Sequence, residues 1–289
     1  YGTMLVGVFF NCILFGVCDC GCFIYYQTYS SDRLWLRLFV AYLALVEAVN
    51  TACDMYVVYQ PLVLQFGKIE AVTFFPKTLS AAAVVTVLIS TPVQIFMAWR
   101  ISVIMGTKMV ALIIAAFSLL SFAGGTWVTI NVAVIKAFSK KNSFEFNRPG
   151  VVWFVASAIT DVLITFTLVY SLHHRRTGHL KTTNAINRII RLTVQTGLVT
   201  MIFALLDLLL FTLDSKTAIS FVFDFSVSKL YTNALLSTLN ARAGWSNLNN
   251  GDDDNVLFGT TAVRFIKGDS HASIPARLYL ALPSELHQQ

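Results

Sequence analysis

Six carboxylic acids and one lysine stand inside otherwise apolar stretches of this chain. Asp19, Glu47, Asp54, Asp161, Asp207 and Asp224 are the acids, and Lys229 is the lysine. An ionisable group at membrane depth is costly unless it meets a partner or a wet cavity, so each marks either an internal bond or a binding or transport site. Their spacing gives them faces. Glu47 and Asp54 are seven apart and flank Asn50 and Thr51. Ser157, Asp161 and Thr165 recur every fourth residue, and Thr193, Thr200, Asp207 and Asp214 every seventh. Ser226, Lys229, Asn233, Ser237 and Asn240 form a fourth stripe. Residues four or seven apart lie on one side of a helix, so four helices each present a polar face, and lipid turns such faces inward. The candidate polar core or ligand pocket is Glu47, Asn50, Asp54, Asp161, Asp207, Lys229 and Asn233. Two chemistries fit it. One is interhelical bonding, with acids and lysine satisfying one another. The other is a pocket or an ion or proton path around Lys229. One lysine cannot neutralise six acids, so some carboxyls are expected either to be protonated or to sit where water reaches them, and this excess keeps the pocket reading open beside the bonding one.

The elements that position these residues are seven apolar runs, at about 4–27, 34–59, 78–101, 109–136, 150–173, 190–214 and 218–240. About 20 apolar residues cross a bilayer as a helix, and the fourth run, Val110 to Ile135, carries no charge at all. The chain is 56% hydrophobic and 12% charged over 289 residues, about half the charge of soluble domains. The expected fold class is therefore all-α: a polytopic membrane protein, a bundle of seven transmembrane helices over residues 1–242. Residues 243–289, with Gly251-Asp252-Asp253-Asp254-Asn255, read as a mostly disordered cytoplasmic tail. The first run is too long for a signal-peptide core and reads as a span. Pro92 interrupts the third run, and the carbonyl it frees is expected to find a local donor.

Lys and Arg favour an outward N-terminus and inward C-terminus, with a multi-pass location in the plasma membrane by default. The loop at 173–191 supplies half of the inner positive charge. Its Arg175, Arg176, Lys181 and Arg188 form a candidate surface for a cytoplasmic partner. The remaining partners are the lipid bilayer and a small-molecule ligand. No basic stripe with interleaved aromatics points to nucleic acid.

Other chemistry is weakly signalled. Cys18-x-Cys20-x-Cys22 has the look of a metal motif, but on a helix successive members point about 200° apart. The thiols read as small hydrophobes, with Cys22 a candidate for acylation. A retinal Schiff base at Lys229 would call for an acid four residues earlier, whereas Asp224 is five earlier. No phosphate loop, zinc-protease helix or nucleophile elbow occurs, so neither an enzyme nor a cofactor is expected. Gly124-Gly125 suits close helix packing.

Several segments carry a resemblance. They are Thr160-Asp161-Val162-Leu163-Ile164, Arg176-Thr177-Gly178, Asn187-Arg188-Ile189-Ile190, Thr196-Gly197-Leu198-Val199-Thr200, Ser228-Lys229-Leu230-Tyr231-Thr232-Asn233 and Leu239-Asn240-Ala241-Arg242. Val93-Gln94-Ile95-Phe96 with Arg100 adds a looser match. Together they resemble an uncharacterised family of fungal, chiefly basidiomycete, seven-span integral membrane proteins known only as a domain of unknown function. The resemblance implies the seven-span layout and brings no activity. Where that family often has Asp and His in the second span, this chain has Glu47 and Asn50.

The function expected from these features is a non-enzymatic, receptor-like or ligand-binding bundle with its polar core around Lys229. The alternative is a small-solute or proton-coupled transporter that uses the intramembrane carboxylates.

Overall fold

A computed structural model describes residues 2–30, 32–68, 77–135, 144–174, 180–213 and 219–241. The chain divides into two units, Tyr1–Arg242 and Ala243–Gln289. Every described residue belongs to the first, and the expected tail lies outside the described residues.

Long apolar runs satisfy their backbone polar groups internally by coiling, and seven α-helices result among the described residues. They are α1 (Gly2–Thr28), α2 (Leu34–Tyr59), α3 (Lys77–Met105), α4 (Met109–Ile135), α5 (Phe144–His174), α6 (Leu180–Leu213) and α7 (Ser220–Asn240). A π-turn, Gln60–Leu64, continues α2. Pro61 lies at its start, and the Gln65 amide reaches back five residues to the Gln60 carbonyl at 2.9 Å. Each helix packs on the next in sequence, and α7 returns to α1, which closes a ring. Helix α3 lies deepest and also touches α5 and α7.

Six helices are long and apolar enough to cross a membrane, which makes this a multi-pass membrane bundle in its architecture. The seventh expected run, 218–240, is also a helix but falls outside this set of six. Helix α7 does not reach that apolarity, because Asp224, Lys229, Asn233 and a set of Ser and Thr residues interrupt it. Its polar groups are solvated by protein instead, for Ser226, Ser228, Lys229, Thr232 and Thr238 are all buried.

The bundle inverts the pattern of a soluble protein. Phe9, Phe10, Ile13, Leu45, Leu112, Ile130 and Phe166 are exposed, whereas Asn11, Glu47, Asn50, Asp54, Gln94, Asp161, Asp207 and Lys229 are buried. Outward apolar and inward polar surfaces are the arrangement that lipid stabilises. Two apolar clusters bracket the polar layer. Met4, Val8, Val57, Val58, Val87, Val132 and Phe225 pack toward the end that carries the start of α1. Tyr25, Leu36, Val40, Ile101, Leu168, Leu235 and Leu239 pack toward the other.

Two local expectations change. Pro92 has no N–H for the Leu88 carbonyl, and the donor comes from the next helix rather than nearby: the Tyr42 hydroxyl of α2 reaches Leu88 O at 2.9 Å. The second concerns the 173–191 loop. Helix α5 runs on to His174 and α6 begins at Leu180. Lys181 and Arg188 are therefore helical, while Arg175 and Arg176 lie outside the described residues. Ile186, Ile189 and Ile190 continue an apolar period into this basic segment, which favours helix over loop. Gly124 and Gly125 bring α4 against α5. A Cβ at Gly124 would stand 2.9 Å from the Trp153 nitrogen, so the close approach needs glycine.

Candidate functional site

The seven candidate residues do not form one pocket. They separate into an ion pair, an acid-lined cavity, a hydroxyl cluster and a lone helix clamp.

The ion pair ties α2 to α7. Lys229 Nζ stands 2.6 Å from Glu47 Oε2, and both side chains are 0% exposed. The ammonium also donates to Asn50 Oδ1 at 2.6 Å and reaches Ser228 Oγ at 3.4 Å. Ser228 donates to the same Asn50 oxygen at 3.1 Å, and Thr232 donates to Glu47 Oε1 at 2.6 Å. Asn50 Nδ2 continues to Thr86 of α3 at 3.4 Å. A buried charge pair survives only with such complete local satisfaction. Helical spacing accounts for its assembly: Glu47 and Asn50 are three apart on α2, and Ser228, Lys229 and Thr232 fall within one turn or so of α7. Lys229 lines none of the cavities described below.

One turn further along α2, Asp54 Oδ2 accepts from Asn11 Nδ2 at 2.6 Å, and that amide also donates to the Phe225 carbonyl at 3.0 Å. Thr51 Oγ1 sits 3.3 Å from Asn11 Oδ1. Asn11 thus joins α1, α2 and α7 from a stretch with no other strongly polar side chain before Asp19. That isolation in an apolar run is the sequence signal for it.

Asp54 also borders a cavity of about 60 Å³ together with Asp207 and Asp224. Asp207 is buried and Asp224 half-buried. The remaining wall is largely apolar and includes five aromatic rings, Trp153, Phe154, Phe211, Phe221 and Phe225. The cavity reaches the end of the bundle, since Leu79 stands in the first turn of α3 and Ser220 is the first residue of α7. Space of this size holds a few waters or a small cation. Among the described residues no three His, Cys, Asp or Glu converge closely enough to hold a metal ion, so the three carboxylates surround the space without focusing on one point. All five cysteines are free thiols, with Cys18 and Cys22 buried and Cys20 exposed.

Asp161 belongs to a third group. Tyr231 donates to Asp161 Oδ2 at 2.5 Å, and Gln94 Nε2 to Oδ1 at 3.1 Å. Ser157 Oγ and the Tyr231 hydroxyl are 3.0 Å apart. Helices α3, α5 and α7 meet here. Sequence reasoning missed Gln94, Tyr231 and Thr232. Gln94 is the one strongly polar side chain between Lys77 and Arg100, a signal of the same kind as Asn11. Tyr231 and Thr232 lie off the stripe through Lys229, because α7 is polar on more than one face.

Asn233 is apart from all three groups. It donates to the Leu14 carbonyl of α1 at 3.0 Å, and two turns later Asn240 does the same to Gly21 O at 2.9 Å. These amides clamp α1 to α7. Of the remaining polar stripes, Thr200 and Thr165 are buried around Gly197, and Thr165 donates to the Gly197 carbonyl at 3.2 Å.

The architecture and its polar interior define a helical, multi-pass membrane protein with internal carboxylates. Residues 157–244, from the middle of α5 through α7, match a family of unknown function, DUF6534. No curated protein and no solved structure matches the chain.

Proposed function

We propose that the chain is a seven-span, non-enzymatic membrane protein of the receptor-like, ligand-binding kind, with its N-terminal end facing outward, and that the Asp54–Asp207–Asp224 cavity is its ligand site. One observation carries the reading: Lys229 is consumed by Glu47 and Asn50, whereas three carboxylates and five aromatic rings border a space at the end of the bundle. Carboxylates with aromatic faces are the surroundings that recognise a small ammonium group. The ion pair then acts as the lock between α2 and α7 rather than as the binding group. The seventh span is supported by length and burial. At 1.5 Å per residue, the 21 residues of α7 extend about 30 Å, the thickness of a hydrocarbon core. Arg175 and Arg176, which follow α5 in sequence, and Lys181 and Arg188, in the first turns of α6, supply the surface for an inner partner.

The test is thermal unfolding of the protein in nanodiscs, titrated with ammonium, methylammonium and small primary amines at constant ionic strength. A ligand that binds only the folded state raises the midpoint with concentration. The midpoint is expected to rise for the native protein and to stay flat for Asp207→Asn. If no amine moves it, the ammonium site is refuted.

The second reading is a small-solute or proton-coupled transporter, favoured by carboxylates that continue inward from Asp224 to Asp161. Solute uptake into proteoliposomes, driven by a pH gradient and lost in Asp161→Asn, would put this reading first.

A further inference from the structure

Two smaller cavities continue inward from the acid-lined one. The first, about 20 Å³, is lined by Asp207, Asp224, Thr86, Ser90, Ser157 and Tyr231 among others. It shares Asp207, Asp224, Thr86, Trp153 and Phe154 with the outer cavity. The second, about 30 Å³, is lined by Gln94, Asp161, Tyr231, Thr165, Gly197 and Thr200 among others, and shares Tyr231 with the one before it. Each has room for one or two waters. A separate observation also points to water: Gln94 Oε1 is buried without a hydrogen-bond partner, and Gln94, itself 1% exposed, lines the innermost cavity. A buried amide oxygen of this kind takes its donor from solvent. Past this point Val93, Met97, Ile164 and Leu168 belong to the apolar cluster of the other end.

We propose that these three cavities and the hydroxyls between them form a proton half-channel, leading from the Asp207–Asp224 end of the bundle to Asp161 and closed beyond it by the apolar cluster. The side chains between the cavities are ordered for transfer. A hydronium in the cavity shared by Asp207 and Asp224 gives a proton to Ser157 Oγ, which passes its own to the Tyr231 oxygen 3.0 Å away. Tyr231 passes its own to Asp161 Oδ2 at 2.5 Å. Each hydroxyl gains one proton and loses one, and Asp161 ends as the neutral acid. Reversal discharges the same proton on the same side. Gln94, donating to Oδ1, holds the carboxylate in line.

Few charges compete at the blind end. Helix α4 carries no ionisable side chain along its full length, from Met109 to Ile135. Helix α6 offers Asp207, and α3 offers Gln94 in the same layer. Helix α7 offers Tyr231 and Asp224, while Lys229 on that helix is held by Glu47 of α2. The half-channel is thus separate from the ion pair, and its use does not depend on the ammonium site. A cavity that binds no amine leaves it intact.

Infrared spectroscopy tests it, because a neutral carboxylic acid in an apolar setting has its own carbonyl band. After a rapid pH drop on protein in nanodiscs, the native chain is expected to develop such a band that Asp161→Asn lacks. Removing one hydrogen-bonded step from the wire with Ser157→Ala is expected to slow that band about tenfold while its final size is kept. Tyr231→Phe, which keeps the ring, is expected to slow it as well. Equal rates in the native protein and both variants would overturn the route. A pH-dependent spectrum identical in the native protein and Asp161→Asn would overturn Asp161 as its terminus.

Discussion

Replacing Lys229 by methionine removes the ammonium while keeping most of the side-chain volume, and the structure sets the size of the effect. At 2.6 Å from Glu47 Oε2, the Coulomb attraction is about 6 kcal/mol at an effective dielectric of about 20. Desolvation of two fully buried ions offsets most of that, so the pair contributes little net stability compared with an apolar pair of similar size. Breaking it from one side is different. Lys229→Met strands the Glu47 carboxylate and takes a donor from Asn50, which is expected to destabilise by about 3–5 kcal/mol. For a chain of this size that lowers the unfolding midpoint by roughly 10 °C. Glu47→Met should behave similarly. The double variant should recover more than half of the summed loss, because no isolated charge remains. Thermal unfolding in nanodiscs, followed by tryptophan fluorescence, measures all four proteins. A single Lys229→Met within about 2 °C of the native midpoint, or strictly additive losses, would show that the two groups do not form a closed internal pair.

Three other perturbations test the packing. Tyr42→Phe removes the donor to the Leu88 carbonyl and should lose about 1 kcal/mol; in a Pro92→Ala background, which restores a backbone N–H, the loss should shrink, and an equal loss in both would refute that link. Gly124→Ala places a Cβ 2.9 Å from the Trp153 backbone nitrogen and should lose about 1–3 kcal/mol. Gly16→Ala has nothing within 4 Å of its added Cβ and should be neutral or slightly stabilising, so equal midpoints for the two variants would contradict the close α4–α5 contact. Asn11→Leu withdraws donors from both Asp54 and the Phe225 carbonyl and should lose about 2–3 kcal/mol, read as a lowered midpoint in the same assay; an unchanged midpoint would remove Asn11 as the link among α1, α2 and α7.

Helix positions were legible because hydropathy is a local property, and the polar stripes pointed inward for the same reason. Two features misled a reading by stripes. Helix α7 was expected as a lipid-facing span like the other six, yet it is less apolar than they are and among the best shielded helices, since neighbours rather than lipid surround Ser228, Lys229 and Thr232. The basic stretch from Leu180 looks like a loop by charge, but its isoleucines keep a helical period. Periodicity also cannot say which of several polar faces meets which. Lys229, Asn233 and Asp161 looked like parts of one core, while the rotation of α7 sends Lys229 to α2, Asn233 to α1 and Tyr231 to Asp161 on α5.

The amino-acid order by itself determined that this chain must form long helices with lipid-compatible exteriors and that Glu47, Asp54, Asp161, Asp207 and Lys229 must point inward, because hydrophobicity and helical periodicity act over a few neighbouring residues. Asp19, which shares no polar stripe, is exposed. Only the tertiary structure decided that Lys229 is spent on Glu47, that Asp54, Asp207 and Asp224 share a cavity, and that Asp161 ends a line of hydroxyls. Those pairings depend on how seven helices rotate and pack against one another, and that is settled by side-chain shape and close glycine contacts summed over the whole bundle.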